Sequence, residues 1–141
     1  MRLIICAFLV ALIGTASSAA ADNTLWDWVW IVPSPDPLQG WDTFTGQSNV
    51  NFDGQSLNAT LKVDGNGVSG DVNLIGRITG RNATVTVIEI GTDAKPETYT
   101  GDYIFVRSKP TDPSNGWGSD RVSVRSGSSY LALYRRVHSS N

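Results

Sequence analysis

From residue 49 to residue 137 the chain alternates apolar and polar positions in short runs, and turn residues separate the runs. Residues 56–63 are the clearest case. Leu57, Ala59, Leu61 and Val63 fall on one face, and Ser56, Asn58, Thr60 and Lys62 on the other. A period of two marks a half-buried strand. The same pattern predicts strands over residues 49–53, 68–78, 83–90, 98–107, 121–125 and 130–137. In the run 68–78, Val68, Gly70, Val72, Leu74, Gly76 and Ile78 share the expected inner face, and inward glycines suit a strongly curved strand. Asp53-Gly54 and Asp64-Gly65-Asn66-Gly67 are hairpin signals, because Asp, Asn and Gly tolerate positive φ.

An eighth strand is expected from residues 41–44 or from the segment Thr24-Leu25-Trp26-Asp27-Trp28-Val29-Trp30-Ile31-Val32. Alternation there puts Trp26, Trp28 and Trp30 on one face. A short helix also brings Trp26 and Trp30 together, four residues apart. Aromatic and β-branched residues dominate the segment and favour the strand. Pro33-Ser34-Pro35-Asp36-Pro37 then breaks regular structure. About eight antiparallel strands at hairpin spacing predict an all-β, up-and-down meander that closes into a small β-barrel. A β-sandwich is the alternative, but it usually needs longer crossovers. The acidic residues agree with many tight turns, since eleven are Asp and two are Glu.

The first residues read as a leader. Arg2 precedes an apolar stretch, residues 3–13, and Ala19-Ala20-Ala21 fits a small-residue cleavage site. The stretch is shorter than the roughly 20 residues that a membrane span needs. The expected organisation is a signal peptide over 1–21, a Trp- and Pro-rich segment over 22–39, and a barrel domain over 40–138. Cleavage near Ala21 implies a secreted or periplasmic protein without a transmembrane anchor. Cys6 is the only cysteine and leaves with the leader, which excludes disulfides and thiol catalysis. The formal charge of −2 offers no electrostatic footprint for nucleic acid.

Three positions in chain order resemble the calycins, the lipocalin and avidin type of small barrel. They are Gly40-Trp41, Gly101-Asp102-Tyr103, and Arg135 after a hydrophobic strand. Lipocalins carry a Gly-x-Trp motif on the first strand, a Thr-Asp-Tyr motif later, and a last-strand arginine that packs over the tryptophan. Here Gly40 adjoins Trp41 directly, and Gly101 replaces the threonine. The resemblance covers residues 38–137 and implies an arginine–tryptophan contact between Arg135 and Trp41, and a barrel that carries a ligand.

The chemistry-bearing candidates are few. No Ser-His-Asp order, HExxH motif or phosphate loop is present, so the expectation is a non-enzyme with no cofactor and no metal. Glu89 alternates with Val85 and Val87, so it either faces the interior, where a carboxylate can do acid–base work, or sits at the strand end in water. His138 lies near the end of the chain and has no second histidine to share a metal. Asp64, Asn66 and Asp71 faintly resemble a calcium loop without its terminal glutamate. Asn58 and Asn82 are glycosylation acceptors by motif. The candidate ligand contacts are Trp41, Tyr103, Trp117 and Tyr130. Trp117 stands between Gly116 and Gly118, which lets its indole project or fold back as a cap. Trp26, Trp28 and Trp30 are the candidate interaction surface, or else they cover the barrel. Two functions are carried forward. The first is an exported, non-catalytic barrel that binds a small apolar or aromatic ligand. The second is a protein-interaction module, such as a hydrolase inhibitor, that acts through loop 108–119.

Overall fold

The computed structural model describes residues 22–107 and 117–138. Eight strands follow one another: β1 Asp22–Pro33, β2 Trp41–Phe52, β3 Ser56–Gly65, β4 Val68–Thr79, β5 Asn82–Glu89, β6 Glu97–Arg107, β7 Trp117–Ser126 and β8 Ser129–His138. Each pairs antiparallel with the next, and β1 pairs with β8, which closes the barrel. Closure removes the sandwich alternative. The meander also defines two ends. The connection 34–40, the β3–β4 turn, the connection 90–96 and the β7–β8 turn form the mouth. The start of β1, the β2–β3 turn, the β4–β5 turn and the end of β8 form the base.

Two expectations about the N-terminal part are corrected. The tryptophan segment is a wall strand that pairs with both β2 and β8, so the barrel begins at β1 and not at residue 40. Residues 41–44 and 49–52 belong to one strand, β2, because Thr43, Thr45 and Gln47 face out while Phe44, Gly46 and Ser48 face in. The polar stretch 45–48 hides this continuity in the sequence.

The interior is filled. Trp26 and Trp28 are 0% and 1% exposed, and Leu57, Leu61, Val85, Val122, Val124, Leu131 and Leu133 are fully buried beside them. Trp26, Trp28 and Trp30 are therefore core side chains and form no exposed interaction patch, which corrects that expected role; only Trp30 reaches the mouth recess. Burying a large apolar side chain stabilises by about 1.5–3 kcal/mol, and three indoles on one strand make β1 the main supplier of core. Outward positions such as Asn58, Thr60 and Lys62 are exposed and polar. This polarity is the reverse of a membrane barrel, whose outer band is apolar. Among the described residues no helix is long and apolar enough to cross a membrane.

Gly46 has a specific reason. Trp28 lies directly against it, and a Cβ at this position would come within 2.7 Å of the indole. The Trp28 indole N–H donates to Ser48 Oγ at 3.1 Å, so its one polar atom is satisfied inside the core. Trp30 donates in the same way to Tyr99 Oη at 3.1 Å.

Candidate functional site

The base is sealed by one polar group. Asp120 on β7 is 2% exposed. Tyr103 on β6 donates its hydroxyl to Asp120 Oδ1 at 2.6 Å. Arg135 on β8 donates through Nε to Asp120 Oδ2, as a salt bridge. Arg135 Nη1 also donates to Thr24 Oγ1 on β1 at 3.0 Å, and that oxygen accepts the Trp26 indole N–H at 3.0 Å. The guanidinium lies 5.4 Å from the Trp26 ring and 5.7 Å from the Phe52 ring. Five strands thus meet in one hydrogen-bonded and cation–π cluster. Burial pushes the Tyr103 phenol well above its ordinary value, and the Asp120 carboxylate, by accepting its proton in a hydrogen bond and by its charge, pushes it further. Both Asp120 oxygens are taken, and the group ties β6, β7, β8 and β1 together at the base.

The arginine–tryptophan contact implied by the calycin resemblance exists, but with a different tryptophan. Arg135 packs on Trp26 of β1, whereas Trp41 starts β2 at the other end and is 51% exposed. The residue before Trp26 is Leu25 and the one before that Thr24, so the expected Gly-x-Trp spacing is absent around it. Sequence alone gave no signal for Asp120 either. It sits between Ser119 and Arg121 and reads as a solvated turn residue.

The other sequence candidates are not brought together. Tyr103 lies in the base cluster and Trp41 lies on the outer wall near the mouth. Tyr130 lines a cleft of about 390 Å³ on the outer wall with Val29, Ala132, Tyr134 and Arg121. The Arg125 guanidinium lies 4.9 Å above the Tyr130 ring. The backbone of Trp117 opens β7, but its side chain lies outside the described residues, as does loop 108–116. Glu89 is exposed at the mouth end of β5, where it pairs with Val72 and borders the mouth recess, which is the strand-end position in water and not the interior. Val68 and Gly70 are exposed at the same end. Asn58 and Asn82 are both exposed.

Two further openings complete the surface. At the mouth, a recess of about 150 Å³ is bordered by Trp30, Val63, Val68, Val72 and Ile90. On β2, Asp42 is 5% exposed, and its Oδ1 has no hydrogen-bond partner among the described residues. On the wall between β2 and β3 lies a cleft of about 680 Å³, lined mainly by amide and hydroxyl side chains. Among the described residues no cluster of His, Cys, Asp and Glu is arranged to hold a metal.

No protein-family model matches this chain, and neither a curated protein nor a solved structure matches it. The site is therefore read from its own geometry.

Proposed function

We propose that this chain is an exported, non-catalytic β-barrel, related to the calycins, that works by binding a protein partner on its outer surface. The observation that carries this is the interior packed by Trp26, Trp28, Trp30, Phe44, Phe52 and Tyr99, which leaves the binding surface to the outer wall and the rim. Eight-stranded barrels are either filled by side chains or hold one small ligand. Calycin kinship is supported by Arg135 over Trp26, joining last strand to first. Export is supported by the leader pattern in residues 1–21. Native mass spectrometry of the protein purified from its own secretory compartment tests the reading. A stoichiometric complex with a second protein chain is the expected result, and a stoichiometric small-molecule adduct overturns it.

The mouth recess favours a second reading, a small apolar or aromatic ligand resting on Trp30 between Val68 and Ile90. Trp30 is 8% exposed, so such a ligand would quench its fluorescence. A Trp30→Phe variant that binds and quenches like the parent would remove this reading.

A further inference from the structure

The shortest ladder of the barrel runs beside the β2–β3 wall cleft. β2 and β3 pair only at Val50↔Ala59, Asn51↔Asn58 and Phe52↔Leu57, next to their turn. Beyond that, residues 41–49 of β2 and 60–65 of β3 have no ladder partner across the joint. By contrast, β2 is paired along its whole length with β1, from Phe52 to Trp41. β3 is likewise paired throughout with β4.

The Trp28 indole lies over Gly46 and reaches Ser48, so it occupies the inner side of β2 where the joint opens. The Thr43 carbonyl points into the joint, because the Asn66 side-chain amide from the β3–β4 turn donates to it, at 3.5 Å. Backbone direction alternates along a strand, and the β1–β2 register has no bulge to reset it. The N–H and C=O groups of Thr45, Gln47 and Asn49 therefore face the joint too. On β3 the matching groups belong to Thr60, Lys62 and Asp64, continuing the alternation of Asn58.

We infer that this joint is a docking site for an extended peptide segment of the partner, which adds strand pairing along the open edge of β2. The inference rests on the partner-binding reading above and gives it a place. Unpaired strand edges are templates for another strand, and main-chain hydrogen bonds supply affinity in such complexes. Specificity comes from alternate side chains. Here Leu25 and Ile75, 55% and 53% exposed, stand on opposite banks of the cleft as apolar seats. Between them Asn49 and Asn58 present amides to polar side chains or to more backbone, while Gln47 donates to Asp27 and Asn73 accepts from Thr60. The lining holds no aromatic ring on which a sugar would stack, so its chemistry fits a peptide better than a glycan.

Hydrogen exchange on the mature chain, followed residue by residue by NMR, is the test. In the free protein the amides of Thr45, Gln47, Asn49, Thr60 and Lys62 should exchange at least about ten-fold faster than those of Gly46 and Ser48, which face β1. Peptides selected from a phage-displayed library of random decamers should then slow those amides. A Gln47→Pro variant, which removes one edge-facing N–H, should weaken the selected peptides about ten-fold, and Arg81→Ala at the base should leave them unchanged. The inference is overturned if the edge amides are already as protected as their neighbours, if no peptide is enriched, or if only oligosaccharides or self-association slow them. Peptides that protect the Tyr130–Tyr134 cleft instead also overturn it, while leaving the partner-binding reading standing.

Discussion

Replacing Asp120 by Asn keeps its shape and removes its charge. Arg135, whose side chain is 11% exposed, then stands beside a neutral partner at the base. Breaking a buried pair in this way costs about 3–5 kcal/mol, measured in denaturant melts. Tyr103→Phe removes one hydrogen bond to a charged acceptor and should cost less, about 1.5–3 kcal/mol. Tyr103 also sets a pH dependence. Its folded pKa is raised above the ordinary 10.0, so its contribution is complete below pH 10 and is lost as the pH rises beyond it. Tyr103→Phe should flatten that alkaline limb of the stability curve. Parts of this cluster were legible. Tyr103 and Arg135 stood out by their order in the chain. Asp120 did not, because nothing local distinguishes a carboxylate that three strands will cover from one left in water. Trp41 was chosen over Trp26 because a glycine precedes it, and spacing carries no information about which end of a strand faces the arginine.

At the scale of elements, Gly101 of β6 faces Val124 of β7. A Cβ on Gly101 would lie 2.0 Å from the Ser123 carbonyl oxygen, which is backbone and cannot swing away. Gly101→Ala should therefore cost about 3 kcal/mol, the upper range for overpacking. Gly70→Ala, at an exposed site with nothing within 4 Å, should stay within about 0.5 kcal/mol in the same thermal melts. Strand positions were largely readable from the period of two, since Leu57, Leu61 and Val63 face in as the alternation says. The limits of β2 were not. Thr45, Gly46, Gln47 and Ser48 look like a break, and only the indole across from them explains why a glycine and a serine hold inward positions.

The whole molecule follows the meander and closure expected from hairpin spacing; Asp53-Gly54 turns the chain as predicted, whereas Asp64-Gly65 ends β3 and Asn66-Gly67 makes the next turn. What fills it was hidden, because the segment richest in tryptophan looked like an appendage separated by prolines. Pattern alone cannot tell a sticky surface from a core when both are built of the same residues. Packing supplies the answer. Leu61, fully buried amid this core, should cost about 2–5 kcal/mol when cut to Ala.

Closure through β1 and β8 has a kinetic consequence. The strands that meet last in space are the farthest apart in sequence, and their ladder runs from Asp27↔Tyr134 to Ile31↔Tyr130. Loop closure over nearly the whole chain must precede that ladder, which makes it the natural slow step of refolding. Because β1 starts and β8 ends at the same rim, a short linker can join them, and the chain can be reopened in the turn at residues 53–55. In such a circular permutant the first-to-last pairing becomes a local hairpin, and only the three pairs of β2 with β3 remain long-range. It should refold measurably faster in stopped-flow fluorescence at almost unchanged stability. Equal refolding rates would place the barrier elsewhere in the barrel.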